Sequence, residues 1–357
     1  MQAHIFWRSS QKRAGFRSIS NKVPLKPEEE QKVTQNDFEK LKIIGRGSFG
    51  NVYLVRHIKT NNYFAMKVLS KSIIKKRQEE EHTITERILM AKLNYPLIVK
   101  LHYCFQDKKY LYFIMDLIQG GDLLYHLRRY HRFDDEKTRF YISEMVLILD
   151  FLHKNNIMYR DIKPENILID RTGHIKLVDF GLSKIFEKNE KMYTICGTSF
   201  YLAPELIKKQ GYNCDADWWS LGCLMYELLS GNPPFKLENN DINTLNFNQP
   251  LKMDNCFSEE AKDLINKLLV IEPKNRLGVG KDGVEKLKQH PYFKDINWED
   301  LEQLKVTPPF IPEINEPNDL KYIEKSIEEN KIENSEDGET NSDHYVNFSY
   351  YGENSEN

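Results

Sequence analysis

Residues 159–181 read YRDIKPENILIDRTGHIKLVDFG. The stretch sets two carboxylates, Asp161 and Asp179, on either side of two apolar runs of β type, residues 166–169 and 175–178. Asp161 is followed by Lys163 and Asn166, and Asp179 opens an Asp-Phe-Gly turn. Phosphoryl transfer needs such a set: a carboxylate to orient the attacking hydroxyl, a cation on the moving phosphate, and two oxygen ligands for Mg²⁺. Alone, each residue says little. Their order and spacing together point to a transfer that uses ATP.

The rest of the chain is compatible with an enzyme of that kind. Its 357 residues fit one large two-lobed domain or two ordinary ones, plus tails, and 40% of them are hydrophobic, enough for a sizeable core. A net charge of −2 argues against general binding of nucleic acid, which wants a strongly basic surface. Cys104, Cys196, Cys214, Cys223 and Cys256 are scattered without a C-x-x-C pair, so free thiols in a reducing compartment are expected. No apolar run approaches the roughly 20 residues of a membrane span. The start, MQAHIFWRSSQKRAGFRSISNK, is basic and free of acids. It superficially resembles a transit peptide, but its composition favours a disordered basic tail. The expected setting is cytoplasmic, with the nucleus also open, and the expected state is a monomer.

Pro24 and Pro27, followed by three glutamates at 28–30, mark a linker, so residues 1–36 are read as an extension before structure begins near Asp37. Residues 38–115 pattern mostly as strands, with one helical stretch around 78–93. From Asp122 helices dominate. Tyr141, Met145, Ile148, Leu149 and Leu152 recur at helical spacing within 137–153. Acids at 134–136 and the basic pair at 153–154 suit the dipole of that helix. Residues 218–229, WWSLGCLMYELL, are apolar nearly all round and predict a buried helix whose one charge is Glu227. After Phe293 the chain turns polar, Pro-punctuated and acidic, with little regular structure expected to about residue 343, and then ends in an aromatic cluster, HYVNFSYY.

Gly45, Gly47, Ser48, Phe49, Gly50 and Val52 lie in a G-x-G-x-x-G-x-V pattern. A dinucleotide site would put a helix directly after these glycines. Here a strand-like run, a Thr60-Asn61-Asn62 turn and a further run follow instead. That makes a flap whose backbone can approach phosphates closely. Lys67 shares a strand face with Ala65 by alternation, and Glu86 in the following helix is its natural counter-charge. The pair would hold the ammonium against the α- and β-phosphates.

With these pieces assembled, residues 38–293 resemble a eukaryotic protein kinase domain, and the whole chain resembles the AGC group, which includes protein kinase A, protein kinase B and the serum- and glucocorticoid-regulated kinases. Tyr159 before Arg160-Asp161, Gly120-Gly121-Asp122 and Cys196-Gly197-Thr198 are AGC habits, and Ala203-Pro204-Glu205 and Arg276-Leu277-Gly278 complete the pattern. The resemblance implies an α+β bilobal fold spanning 37–293. A small β-rich N-lobe with one regulatory helix would occupy 37–115, a hinge 116–121 and a larger helical C-lobe 122–293. Residues 294–357 would form an AGC tail with a hydrophobic motif at 345–350.

The resemblance also implies roles. Asp161 would accept or orient the substrate hydroxyl proton, Lys163 would neutralise the γ-phosphoryl group, and Asn166 and Asp179 would hold two Mg²⁺ ions, with Mn²⁺ as an alternative. Thr198 would tie Asp161 to Lys163, which points to Ser/Thr acceptors, and Asp217 would brace the catalytic loop. Glu205 and Arg276 would pair as a structural bridge. Adenine would meet backbone groups of Asp116 and Ile118 beneath Val52, Ala65 and Met115, with Asp122 on the ribose side. Asp122, Glu165 and Glu227 would form an acidic patch selecting Arg before the target residue. Thr194 fits an activation-loop phosphosite paired by Arg160, Lys184 and His82, of which Arg160 has no other evident partner. Ser349 fits a second site, phosphorylated, like Thr194, by an upstream kinase, and Tyr345 with Phe348 would dock beside the Glu86 helix.

Some positions depart from the family pattern. Ser199-Phe200 replaces the usual Pro-Glu, residues 236–257 are short and Asn-rich, and Ile323 is a poor stand-in for the tail's adenine-side aromatic. Two rival readings share the fold class. A pseudokinase would lose Lys67, Asp161 or Asp179, and all three are present. A small-molecule kinase would not be expected to carry Ala203-Pro204-Glu205 and a peptide-type activation loop.

Overall fold

Strand β3 (Tyr63–Ser70) shows how the sequence sorts its two faces. Met66 and Val68 point into an aromatic cluster with Phe38, Tyr53, Phe105 and Tyr112, while Leu69 faces the main core. Period-two alternation therefore puts Ala65 and Lys67 on the main-core side. In the computed structural model, residues 33–47, 49–187, 190–235, 241–323, 344–345 and 348–352 are described. The basic extension up to residue 32, Ser48, and the tail positions 324–343 lie outside them.

β3 belongs to a five-stranded antiparallel sheet with β1 (Phe38–Gly47), β2 (Gly50–His57), β4 (Leu101–Gln106) and β5 (Tyr110–Asp116), in the order β1-β2-β3-β5-β4. Gly50 starts β2 where a Cβ would stand 1.8 Å from the Val68 carbonyl oxygen, so no other residue fits that crossing. Two helices, not one, follow β3: α1 (Lys71–Arg77) and α2 (Glu80–Lys92). The sequence hid α1 because it is two turns long and mostly basic, too short for a periodic apolar face to register.

The helical lobe starts at α3 (Leu123–Tyr130), capped by the Asp122 carboxylate, which accepts the Tyr125 N–H at 2.7 Å. α4 (Asp135–Lys154) is capped by Asp134 in the same way and carries acids at its start and His153 and Lys154 at its end, as its sequence predicts. After the short β6 (Ile157–Met158), strands β7 (Ile167–Ile169) and β8 (Ile175–Leu177) pair antiparallel, and β9 (Lys184–Ile185) returns to β6. Asn166 closes a 3₁₀ turn ahead of β7 instead of starting the strand. α5 (Pro204–Ile207) leads to α6 (Asp215–Ser230), which is buried along nearly its whole length and ends at Gly231 with φ +81°.

α7 (Glu259–Leu268) and α8 (Gly283–Lys288) complete this lobe. The described part of 236–257 holds a 3₁₀ turn, Ile242–Thr244, and no α-helix. α9 (Trp298–Glu302) forms where no regular structure was expected. Asn297 caps it through the Asp300 N–H, and the Trp298 indole N–H donates to the Lys288 carbonyl, a tertiary anchor with no local signature. The five cysteines are free, and no helix of the described residues is long and apolar enough to cross a membrane.

Candidate active site

The loop after β6 is held from beneath by α6. Asp217, buried in that helix, accepts the backbone N–H groups of Tyr159 and Arg160, each at 3.0 Å, and the His153 Nε2 at 2.8 Å. This matters because Arg160 sits at φ +71°, a conformation a non-glycine residue keeps only when its surroundings enforce it. The Tyr159 hydroxyl spans to the Val178 carbonyl at 2.6 Å, and its ring meets Phe180 edge-on. One buried tyrosine thus ties the Asp161 loop to the Asp-Phe-Gly turn.

Asp161 collects three donors. Its Oδ2 accepts Lys163 Nζ at 2.7 Å and Asn166 Nδ2 at 2.8 Å, and its Oδ1 accepts the Thr198 hydroxyl at 3.0 Å. Lys163 also reaches the Thr198 oxygen at 3.3 Å, so the expected Asp161–Thr198–Lys163 triangle is present. Asp179, at φ +59°, turns its carboxylate toward the sheet. Lys67 Nζ bridges it at 3.1 Å to Glu86 Oε1 at 2.6 Å.

The electrostatics follow from that bridge. The Lys67 ammonium, helped by the Gly181 N–H and Lys163, holds the Asp179 carboxyl below the usual carboxylate range against the opposing effect of burial. Burial acts against the charge on Lys67, but Asp179 and Glu86 outweigh it and its pKa lies above the ordinary lysine value. Glu86 is pushed up by burial, which its attraction to Lys67 only partly offsets. Lys163 acts on both carboxylates, which places the two within reach of one set of charges.

Above this set lies the underside of the sheet. Val52 stands opposite Lys67, and Ala65 opposite both Leu54 and Met115, so Val52, Ala65, Lys67 and Met115 share one face. Gly45 pairs with Val52, Gly47 with Gly50, and the Phe49 ring lies under Arg77 of α1 at 5.4 Å. The 116–121 segment leaves the sheet with the Asp116 carboxylate on His102 at 2.7 Å, and half-buried Ile118 follows.

Two expectations need correction. Glu227 is not an open surface carboxylate. It is 8% exposed, the Tyr201 hydroxyl donates to it, and burial raises its pKa with a further push from Glu165. Only Glu165 of the acidic trio is exposed, since Asp122 caps α3. Second, Arg160 does have partners without a phosphate: its Nε donates to the Leu182 carbonyl at 2.5 Å and its Nη1 to Tyr212 at 3.4 Å. Lys184 pairs with Glu190 and His82 with Glu79, while Thr194 is exposed with its carbonyl bonded by Tyr212. The tail meets the hinge through Tyr322, the neighbour of Ile323, packed on Gly121, with Gln119 bonded to the carbonyls of Glu316 and Asp319.

The C-terminal aromatics are seated. Tyr345 and Phe348 are buried, Phe348 lies edge-on to Phe113, and Tyr350 pairs with Cys104 on the free edge of β4. Arg87, next to Glu86 on α2, donates to the carbonyls of Phe348 at 2.9 Å and exposed Ser349 at 2.7 Å. Gln106 exchanges two hydrogen bonds with the Tyr345 backbone. Sequence reading missed Arg87 and Gln106, whose polar type alone carries no signal. Phe348→Ala should release this segment, at a cost of about 3 kcal/mol by analogy with buried aromatic truncations. Hydrogen exchange should then speed up along α2 and turnover should fall. Unchanged protection of α2 would contradict that linkage.

Comparisons with known proteins accord with this geometry. The protein kinase domain model matches residues 38–293. Protein kinase 3 of Dictyostelium discoideum is 45% identical over 314 residues, covering 84% of this chain and 34% of its own length. Serine/threonine-protein kinase Sgk1 of Danio rerio is 43% identical over 321 residues, covering 89% of this chain and 74% of its own length. Ribosomal protein S6 kinase 2 alpha of Gallus gallus is 44% identical over 299 residues, covering 82% of this chain and 40% of its own length. The chain therefore spans about a third of the Dictyostelium relative, 34%, and most of the zebrafish one. With a family model over most of its length and a two-carboxylate site built on that fold, this chain belongs to the protein kinase family, in the AGC group of serine/threonine kinases.

Proposed function

We propose that the chain moves the γ-phosphoryl group of ATP to Ser or Thr in protein substrates that carry Arg before the target. The observation that carries this reading is the pair of carboxylates with their cations: Asp161 with Lys163 and Thr198, and Asp179 with Lys67 and Glu86.

The acceptor oxygen forms a bond to the γ-phosphorus as the bond to the β–γ bridging oxygen breaks, leaving ADP. Asp161 orients the acceptor hydroxyl and takes its proton, while Lys163 balances charge on the moving group. Lys67, steadied by Glu86, holds the α- and β-phosphates, and the backbone of Asp116 and Ile118 takes the adenine. Ser48 of the glycine flap, outside the described residues, completes that reading of the nucleotide site.

Asn166 and Asp179 suit Mg²⁺ or Mn²⁺, because they offer hard oxygen donors and the Asp179 carboxylate is half-exposed and held in its charged form by Lys67. Such an ion would neutralise the phosphate oxygens. Glu165, the exposed member of the acidic trio, would pair with a substrate arginine, while Asp122 caps α3 and Glu227 holds Tyr201. Engaging Glu227 would require exchange with Tyr201.

Regulation follows from the activation loop. A phosphate on Thr194, added by an upstream kinase, would draw Arg160, Lys184 and His82 from their present partners. Ser349 is the second proposed site. The setting proposed is the cytoplasm, or nucleus, and the state a monomer. Thr194→Ala should lower turnover by roughly tenfold or more, the scale of losing one to three charge-assisted bonds. Its melting temperature should hold, since the side chain is exposed. Full activity in that variant would contradict the switch. A peptide-library assay on protein with and without phosphate at Thr194 tests the whole reading: Arg enrichment before the acceptor supports it, and its absence contradicts the substrate assignment.

A further inference from the structure

The hinge is pinned to the catalytic lobe by a chain of bonds in which one side chain takes part. The Gly120 N–H donates to the Ile169 carbonyl at 2.9 Å, and the Ile169 N–H donates to the Gly121 carbonyl at 2.8 Å. The Gly120 carbonyl lies 2.7 Å from His126 Nε2. A carbonyl only accepts, so the imidazole must carry its proton on Nε2. His126 is 3% exposed, with Phe310 and Tyr322 of the tail and Tyr125 and Tyr130 of its own helix around the ring. Burial, aided by the nearby Arg129 charge, lowers its pKa and keeps it neutral, while the bond to Gly120 opposes that shift.

There is little slack at this point. A Cβ on Gly120 would stand 2.4 Å from the Ile169 carbonyl oxygen and 2.7 Å from Pro312, and Gly121 holds φ +80°. His126 also lies one helical turn beyond Asp122, donating its own N–H to the Asp122 carbonyl at 3.3 Å. β7, which receives the hinge at Ile169, begins directly after Asn166.

We propose that His126 is a positioning residue for the nucleotide: its Nε2–H fixes the Gly120 carbonyl, and with it the register in which the 116–121 backbone meets adenine and Asp122 meets ribose. The inference rests on the nucleotide reading of the site given above. The aromatic pair from the tail then acts as a cover that keeps the imidazole dry and in one orientation.

The test compares three variants of the full chain. H126F keeps an aromatic ring and H126L keeps bulk, and both remove the donor. H126Q returns an N–H at similar reach. The KM for ATP at saturating Mg²⁺ and peptide, the Kd for Mg-ATP, kcat and melting temperature are read for each. The donor-less variants should raise KM and Kd for ATP by roughly five- to tenfold, the scale of one lost hydrogen bond. Their kcat should stay within about twofold and the peptide KM should not move, and H126Q should recover most of the affinity. ATP constants unchanged in H126F and H126L overturn the proposal, as does an equal loss in H126Q. Failure of both donor-less variants to fold assigns His126 to stability and also overturns it. A wild-type chain that neither binds nor turns over Mg-ATP removes the nucleotide reading itself, an outcome distinct from a normal wild type with silent variants.

Discussion

Asp161→Asn is expected to lower turnover by about 10²–10⁴-fold, the range for losing a positioned acid–base group. The substitution keeps the shape of the side chain but not its chemistry. Asp161 now accepts from Lys163, Asn166 and Thr198 at once. An amide offers one accepting oxygen where the carboxylate has two, so its NH₂ must face a donor on one side. The loop itself should persist, because Asp217 holds the Tyr159 and Arg160 N–H groups independently of the Asp161 side chain. ATP affinity should therefore change little, which separates loss of chemistry from loss of the site. Single-turnover phosphorylation with a matched ATP titration checks this, and a turnover within tenfold of wild type would contradict the role given to Asp161.

The largest effect on stability should come from Glu205→Ala. Arg276 is wholly buried, and its guanidinium makes two parallel bonds to the Glu205 carboxylate at 2.9 and 3.0 Å. It also donates to the carbonyls of Val270 and Asp215 and lies over Trp219. Removing the carboxylate leaves a buried charge without its counter-ion, which costs about 3–5 kcal/mol. Against a total stability of roughly 5–15 kcal/mol, that loss approaches the threshold of folding. Urea unfolding should show a lower midpoint at unchanged slope. The double variant Glu205→Leu with Arg276→Met should regain much of the loss, because it removes both charges together. A midpoint unchanged in the single variant would show that the bridge is not where the helical lobe is held.

The parts of this molecule that were legible in advance are those with a local rule behind them. β3 announces its two faces by alternation, which is how Lys67 could be assigned to the same side as Ala65 before any contact was known. α4 announces its ends by charge, and the glycine flap by spacing. The Asp161 and Asp179 segments carry their chemistry within 23 residues of sequence, 159–181. What escaped notice depends on partners far away in the chain. Arg87 binds the carbonyl of Phe348 across 261 positions, and nothing near Arg87 encodes that. His126 reads as one more polar residue on α3 until Phe310 and Tyr322 close over it. Glu227 is the one charge within 218–229, but α6 starts earlier and also carries Asp215 and Asp217, and the hydroxyl partner of Glu227, Tyr201, is 26 residues upstream. Arg160 has no evident partner in the sequence because backbone carbonyls, such as that of Leu182, are invisible to residue-type reasoning.

The most direct test of the central claim is transfer of the γ-phosphate of ATP to a serine peptide with arginine before the acceptor. It should be followed as a function of Mg²⁺ with the wild-type chain and with Asp179→Asn. The geometry predicts metal-dependent phosphoserine formation by the wild type, with the typical kinase turnover of about 1–100 s⁻¹ once activated. The variant should require far more metal and work far more slowly. Equal rates for the two proteins, or transfer that ignores Mg²⁺, would contradict the account.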